Sequence, residues 1–136
     1  GLNVPIVGSD GMADAKPVHI DGAKNASNIY YTTPFSQTVA KQNPVAVKFM
    51  NAYKARYHTD APTFSALAYD STYMIKQAIE NEKSANSVKI TKGLANIKDF
   101  NGVTGKISID GKHDANKPIA VEHLNNGKVV GSTQIK

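Results

Sequence analysis

The residue best placed to do chemistry is Asp10, in the run Gly8-Ser9-Asp10-Gly11 that follows the mostly apolar residues 4–7. The apolar run predicts a buried strand, and the glycine-bounded run predicts a tight turn at its carboxyl end. In open α/β sheets, ligands bind outside the carboxyl ends of strands. Asp10 could therefore capture a cation such as an ammonium group. The alternative is an Asx-turn, in which the Asp10 side chain caps the following backbone.

Phe64 is a second candidate, because it begins the longest predicted helix just after Pro62. An aromatic residue at that position can line a pocket or pack in the core, and the local sequence favours the core. A helix N-terminus that faces a cleft is also a natural anion site. Phe64 is therefore interpreted first as a core residue, with a place in a pocket wall as the alternative.

The remaining reactive side chains form no catalytic pattern. Ser9 lies outside the G-x-S-x-G turn of a nucleophilic serine, and no P-loop or G-x-G-x-x-G run is present. Asp70 lies inside the longest helix, where it is expected to pair with Lys76 or to cap a neighbouring loop. The histidines lack the spacing of metal ligands and are expected to be exposed; they are His19, His58, His113 and His123. The sequence therefore predicts neither an enzyme nor a metal or cofactor site.

Composition limits the class of partner. The chain has 136 residues, of which 40% are hydrophobic and 20% are charged, so it can build the core of one domain. The net charge is +5, but Arg56 is the only arginine and the lysines are scattered along the chain. Because phosphate and base recognition favour clustered arginine, nucleic acid is not a predicted partner. Cysteine is absent, which excludes a disulfide or a thiolate-bound metal within the chain.

The first elements should position Asp10. Residues 4–7 predict a strand, and residues 13–20 predict a weak helix interrupted by Pro17. Residues 29–33 are rich in aromatic and β-branched side chains and predict a second strand. Residues 37–42 are expected to form a loop.

Three helices are predicted next, over residues 44–58, 63–81 and 87–95. The first has Asn43 as its N-cap and a proline at its first helical position. The longest should bury a broad apolar stripe. That stripe consists of Phe64, Leu67, Met74, Ile75, Ala78 and Ile79, with Tyr69 and Tyr73 beside it.

The last third of the chain changes to strands. Turn residues over 100–105 precede an alternating strand at 106–110, and residues 111–117 predict a polar loop. Residues 118–124 and 129–135 predict a hairpin, because the Asn-Gly pair between them is the strongest short hairpin signal.

The resulting order of elements is unusual for a self-contained domain. It runs strand, weak helix, strand, three helices and three strands. A parallel strand needs a neighbour in a covered sheet, yet no strand–helix unit precedes residues 4–7. The sequence therefore indicates a piece of a longer protein.

An ordered set of segments resembles one known family. The segments are VPIVGSDG (4–11), IYYTT (29–33), FMNAYKARY (49–57), ALAYDS (66–71) and FNGVTGKISID (100–110). In this order and spacing they resemble the C-terminal part of type I periplasmic solute-binding proteins of ABC importers. Within that family they are most similar to the leucine/isoleucine/valine-binding subgroup.

The resemblance implies an α/β fold, namely the C-terminal portion of a two-lobed type I periplasmic-binding-protein fold with parts of two doubly wound sheets. It assigns residues 1–33 to the second lobe and residues 34–119 to the first. Residues 120–136 would return to the second lobe as a C-terminal hairpin. The N-terminal portion of the parent protein would be absent from this chain.

The resemblance also implies a function. The protein would be the extracytoplasmic solute-binding component of an ABC importer, made with a signal peptide and either periplasmic or lipid-anchored at the cell surface. It would close on a branched-chain amino acid and deliver it to a membrane permease. Asp10 matches the family's acidic residue for the ligand's α-ammonium group, and Phe64 matches an aromatic pocket position. The turn that shapes the approach to the ligand is matched by Gly8, Ser9 and Gly11.

Other functions stay open. The same fold serves as the ligand-binding sensory domain of receptors. An α/β enzyme could use Asp10 as an acid or base, although no partner lies at a suitable spacing. Because a piece of this fold would leave open sheet edges, we also expect a domain-swapped or edge-paired dimer of the chain.

Overall fold

The computed structural model describes residues 4–15 and 25–135. None of the helices in these two ranges is long and apolar enough to cross a membrane. The elements, in chain order, are β1 (Ile6–Gly8), α1 (Gly11–Ala15), β2 (Ile29–Thr33), α2 (Gln37–Ala40), α3 (Pro44–Tyr57), α4 (Thr63–Glu82), α5 (Ser87–Ala95), β3 (Phe100–Gly102), β4 (Gly105–Ile109), β5 (Ala115–Asn116), β6 (Ile119–Asn125) and β7 (Lys128–Ile135).

The larger sheet has four strands in the order β1-β2-β6-β7. β1 and β2 are parallel, with Gly8 opposite Tyr31, whereas β2, β6 and β7 run antiparallel. Between β6 and β7, Asn126 and Gly127 have φ angles of 47° and 71°. This left-handed backbone is what a type I′ hairpin turn requires. The hairpin predicted from the Asn-Gly pair is therefore confirmed.

The smaller sheet has three antiparallel strands in the order β3-β4-β5. β3 and β4 are joined by a two-residue turn at 103–104, with Gly102 paired to Gly105. Residues 100–105, predicted as turns, thus contain all of β3. The loop predicted over 111–117 contains the short strand β5.

Side-chain caps fix the starts of three helices. Asn43 and Asn86 accept hydrogen bonds from backbone N–H groups in the first turns of α3 and α5. The Asn43 cap is confirmed as predicted. Ser36 caps α2 in the same way by accepting from Val39 N. The loop predicted over 37–42 is therefore wrong for residues 37–40, where this cap supports a short helix.

β1 lies at the edge of the larger sheet, and its side chains are exposed, Val7 by 77%. The prediction of a buried strand over 4–7 is therefore wrong. β1 pairs with β2 on one side only. In the part of the chain that the structure describes, the larger sheet is covered near β1 only by the short helix α1, through Met12 and Ala13.

Part of the helix predicted over 13–20 and the whole of His19 lie outside the described residues. The weak helix predicted over 13–20 overlaps α1 at residues 13–15, and α1 begins earlier, at Gly11. The remainder of that prediction, together with His19, lies in the range that the structure does not describe.

α4 buries a narrower face than the sequence predicts. Its buried residues are Thr63, Ala66, Asp70 and Ala78. Of the predicted apolar stripe only Ala78 is fully buried, and Phe64 is 66% exposed. α5 packs closely against this face, because a Cβ added at Gly93 would lie 3.0 Å from the Cβ of Ala78. Of the rest of the stripe, Leu67, Met74 and Ile79 are half-buried, and Phe64 and Ile75 are exposed.

Two hydrophobic clusters form the core of the described residues. The first packs on the larger sheet and comprises Ala26, Ile29, Tyr31 and Leu124. The second comprises Phe35, Ala40, Ala46, Phe49, Ala61, Ala66 and Val103. We call β1, α1, β2, β6 and β7 the sheet unit, and α2 to α5 with β3 to β5 the helical unit.

The chain passes between these units twice. It leaves the sheet unit after Thr33 through residues 34–36, which we call the outgoing crossing. It returns through residues 117–118, the returning crossing, and enters β6 at Ile119. Because Thr33 pairs with Ala120 in the β2–β6 ladder, the two crossings lie side by side.

Asp70 is 2% exposed and caps the turn between β3 and β4. Its Oδ1 accepts a hydrogen bond from Val103 N at 2.7 Å. Its Oδ2 accepts from Thr104 N at 2.9 Å and from Thr104 Oγ1 at 2.7 Å. Of the two predicted roles, the loop cap is therefore confirmed. The pairing with Lys76 is wrong, because Lys76 binds Glu80 one helical turn away.

Lys117 fastens the returning crossing to its neighbours. Its Nζ donates to the carbonyl oxygen of Pro34 at 3.3 Å and to Thr104 Oγ1. Burial disfavours the charged ammonium and lowers the pKa of Lys117 from 10.5 to about 8, against the opposing attraction of Asp70. Because a neutral amine still carries N–H donors, both hydrogen bonds can persist when the charge is lost.

Asp70→Ala is expected to lower the free energy of unfolding of the full-length protein by about 3 kcal/mol, because two buried N–H groups lose their acceptor. Denaturant unfolding followed by circular dichroism measures this loss. Asp60→Ala is the matched control, since Asp60 is exposed and pairs with Lys54 on the surface. The control should lose less than about 1 kcal/mol. Equal losses in the two variants would contradict the capping role.

Lys117 should also make stability depend on pH. Between its folded pKa of about 8 and its unfolded pKa of 10.5, the folded protein binds fewer protons at this side chain than the unfolded chain does. The contribution of Lys117 to the free energy of unfolding therefore rises from pH 8 to pH 10.5. Unfolding curves at pH 7 to 10 should show this rise in wild type and lose it in Lys117→Met. Parallel pH profiles for the two proteins would show that the lowered pKa is wrong.

Candidate functional site

Asp10 lies in the turn between β1 and α1, at the carboxyl end of an edge strand. The turn is closed by backbone hydrogen bonds from Met12 N to Ser9 O at 3.1 Å and from Ala13 N to Asp10 O at 2.9 Å. Ser9, Asp10 and Gly11 are all exposed. Among the described residues, none donates a hydrogen bond to the Asp10 carboxylate, so backbone groups close this turn without it. The carboxylate lies at an exposed position.

Gly8 lets this turn fold tightly against the sheet. A Cβ built on Gly8 would lie 1.7 Å from the Sδ of Met12, which packs on the hydrophobic cluster of the sheet unit. No side chain larger than hydrogen fits there without moving Met12. The absence of a side chain at Gly8 therefore leaves room for Met12 of α1 to pack on the sheet.

Phe64 is brought to the same edge of the sheet by the start of α4. β1 and β2 are parallel, so their carboxyl ends lie at one edge. Thr33, the last residue of β2, has its Oγ1 3.5 Å from the Oγ1 of Thr63. Phe64 follows Thr63 and is exposed, so its assignment to the core is wrong. The first turn of α4 therefore lies beside the carboxyl end of β2, and the Phe64 ring is not part of the buried face of α4.

A cavity of about 480 Å³ lies between the sheet unit and the helical unit. Its walls come from both units, with Ala13, Tyr31, Thr33, Glu122 and Val129 on one side and Gln37, Tyr53 and residues 59–63 among those on the other. Asp10 and Phe64 are not among its lining residues. The described residues thus form a gap between the units, with the two predicted ligand residues outside its walls.

Glu122 is a buried acid that the sequence reasoning missed. It is 8% exposed, and Tyr31 Oη donates to its Oε2 at 2.6 Å. Ser36 Oγ donates to its Oε1 at 2.6 Å, and Ser132 Oγ lies 3.4 Å from the same oxygen. The carboxyl group therefore ties β2, the outgoing crossing and β7 to β6. Its position in the strand could have been noticed, since it shares the inward phase of β6 with Ala120 and Leu124.

The histidines within the described residues do not assemble a metal site. His58 and His113 are exposed, as predicted, with left-handed backbones in turns. The expected exposure of His123 is wrong, because its ring is half-buried and stacks on Tyr30, with ring centroids 4.3 Å apart and an interplanar angle of 5°. Over residues 4–15 and 25–135, no group of three His, Cys, Asp or Glu side chains could hold a metal ion.

Comparison with known proteins places this geometry in a family. The family model described as periplasmic binding protein matches residues 1–128. A comparison with curated proteins finds no match.

Two solved structures are similar over nearly the whole chain. The branched-chain amino acid transporter substrate-binding protein LivJ from Streptococcus pneumoniae, in complex with isoleucine, is 40% identical over 99% of this chain, with a TM-score of 0.88. The leucine-binding protein LivK from Thermotoga maritima is 32% identical over 99% of the chain, also with a TM-score of 0.88. This chain covers 38% of the length of each.

A more distant structure shares the fold. The ABC transporter substrate-binding protein from Desulfitobacterium hafniense, in complex with leucine, is 20% identical over 95% of this chain and 36% of its own, with a TM-score of 0.74. The predicted fold class is confirmed, because the mixed sheets and helices match part of the two-lobed periplasmic-binding-protein fold. The chain belongs to the periplasmic binding protein family.

Proposed function

We propose that this chain is part of the solute-binding component of an ABC importer and that its ligand is a branched-chain amino acid. The observation that carries the proposal is the 40% identity, over 99% of the chain, to a LivJ protein in complex with isoleucine. The 32% identity to a leucine-binding LivK supports the same ligand class. Family and neighbours are substrate-binding proteins, which fits a binding role without catalysis.

We assign the sheet unit and the helical unit to the two lobes of that protein. Residues 1–33 and 120–136 belong to the second lobe, and residues 34–119 belong to the first. Two features support this division. The two hydrophobic clusters fall on opposite sides of these boundaries, and the chain passes between the units only at the two crossings in the described range. The amino acid would then bind between the two lobes, at the edge of the sheet where Asp10 and Phe64 lie, and the lobes would close around it.

Within this site, Asp10 binds the α-ammonium group of the amino acid and Phe64 contacts its apolar side chain. The carboxylate of Asp10 is exposed at the carboxyl end of a strand, where ligands bind in such sheets. Phe64 is exposed at the same edge, next to the contact between Thr33 and Thr63. Ser9 and Gly11 flank Asp10 and shape its approach. An ammonium–carboxylate pair is a strong, directional contact once lobe closure removes water.

The expected partner of the whole protein is a membrane permease, and the expected location is outside the cytoplasm, in the periplasm or anchored by lipid at the cell surface. Both expectations follow from the proposal that this chain is part of the solute-binding component of an ABC importer. An edge-paired or swapped dimer of the chain stays a prediction, supported by the exposed edge strands β1 and β7.

Asp10→Asn should weaken binding of leucine, isoleucine or valine by at least tenfold, about 1.4 kcal/mol, because the amide keeps the shape of the side chain but loses its charge. Isothermal titration calorimetry of the full-length protein measures the affinity. Asp114→Asn is the matched control, since Asp114 is an exposed acid in the loop beside β5 and its loss should leave affinity unchanged. Equal affinities for Asp10→Asn and wild type would reject the role of Asp10.

Phe64→Ala should weaken binding of leucine by about threefold to tenfold and binding of alanine much less, because a large side chain loses more aromatic contact. The melting temperature should stay near that of wild type, since the Phe64 side chain is 66% exposed. Val88→Ala removes a similarly exposed apolar side chain on α5 and serves as the control. The same fold-loss for leucine and alanine would show that Phe64 does not set selectivity.

A further inference from the structure

The two crossings are fastened to each other on the side that faces the helical unit. Lys117, in the returning crossing, donates to the carbonyl oxygen of Pro34 in the outgoing crossing at 3.3 Å. The same ammonium group donates to Thr104 Oγ1, which in turn donates to the buried carboxylate of Asp70. One side chain therefore joins both crossings to the turn that α4 holds in place.

Packing around Lys117 restricts the returning crossing further. A Cβ added at Gly105 would lie 2.7 Å from the Cγ of Pro118, the residue after Lys117. Gly105 also has a φ angle of 113°, which side-chain-bearing residues rarely adopt. The β3–β4 turn is thus pressed against the returning crossing by contacts and held to it by the Lys117 hydrogen bond.

The crossings are fastened again on the side that faces the sheet unit. Ser36, at the end of the outgoing crossing, donates to Glu122 at 2.6 Å, four residues into β6. Tyr31 in β2 donates to the same carboxyl group. Thr33 and Ala120 form the last rung of the β2–β6 ladder, between these side-chain ties. The outgoing crossing is therefore held at Pro34 by the returning crossing and at Ser36 by β6, the strand that the returning crossing enters.

We propose that Lys117 is a positioning residue that makes the two crossings bend as one hinge, so that the two units open and close along a single path. The proposal rests on the proposed binding function and adds a residue that does not touch the ligand. Lys117 acts through Pro34 and Thr104, and Ser36 with Glu122 completes the hinge on the sheet side.

Loss of the Lys117 contacts would let the crossings bend separately. The ligand-free protein would then sample more relative orientations of the two units. A smaller fraction of the ligand-free protein would then hold the binding-competent orientation. Because the apparent Kd rises as this fraction falls, the variant should bind its ligand more weakly. We expect the apparent Kd for the amino acid to rise about threefold to tenfold in Lys117→Met.

The direct test is a distance measurement between the two units without ligand. Spin labels on cysteines introduced at Lys89 in α5 and at Lys128 in β7 report it, since both positions are exposed. These 136 residues contain no cysteine, and any cysteine elsewhere in the full-length protein is first replaced by serine. In the full-length protein, Lys117→Met should broaden the distance distribution by double electron–electron resonance. Lys112→Met is the control, because Lys112 is an exposed lysine in the neighbouring loop, and it should leave the distribution unchanged.

Two further variants separate a hinge role from a general loss of stability. Lys117→Arg keeps donors on a long side chain and should restore a narrow distribution. Ser36→Ala removes the tie to Glu122 and should broaden the distribution even where Lys117→Met fails to fold. Unchanged distributions in Ser36→Ala and Lys117→Met, with melting temperatures lowered, would overturn the proposal. Because the distances are measured without ligand, a protein that binds no amino acid but shows the broadening would reject the proposed function and support the hinge.

Discussion

The pairing of β2 with β6 is the constraint on which the rest of the structure depends. It joins strands that are far apart in the sequence, and its last rung, Thr33 with Ala120, brings the two crossings together. The described helices and strands between these two residues form the helical unit, and the other described elements form the sheet unit. The gap between the units follows from this ladder, and the parallel pairing of β1 with β2 then places Asp10 at the same edge as the end of β2.

Two buried acids hold this arrangement, and both are joints between elements. Asp70 binds the backbone of a turn, and Glu122 binds hydroxyl groups from three neighbouring segments. A buried carboxyl group without partners would destabilise the fold by several kcal/mol, so each is surrounded by donors. No buried side-chain polar atom in the described residues lacks a hydrogen-bond partner. The structural role of both acids is therefore to hold neighbouring segments in position.

The acid assigned to the ligand differs from these in its surroundings. Asp10 is exposed, and its turn is closed by backbone groups. A carboxylate that binds a cation from solution has to be accessible to it, so an exposed acid at a strand end suits the proposed role better than a buried, hydrogen-bonded one. The position of Phe64 follows the same logic, since its ring projects away from the packed face of α4. The aromatic rings that stabilise the helical unit, such as Phe35 against Phe49, are packed inside it.

The sequence alone determined the local features, because their signals lie within a few residues. The Asn-Gly hairpin, the Asn43 cap and the long helix at 63–82 depend on turn chemistry, capping and periodicity, and all three are present. Family membership also came from the sequence, since the order and spacing of five segments carry it.

Only the tertiary structure decided which residues are covered and which side chains meet. The exposure of β1 and Phe64 depends on what packs over them, which no local pattern contains. The contacts of Lys117 with Pro34 and of Glu122 with Ser36 join residues more than eighty positions apart. Such contacts form when strand pairing closes a long loop of the chain. Sequence periodicity reports only local structure, so it does not predict which distant strands pair. The two crossings lie side by side only because β2 pairs with β6, and no local pattern in the sequence predicts that pairing.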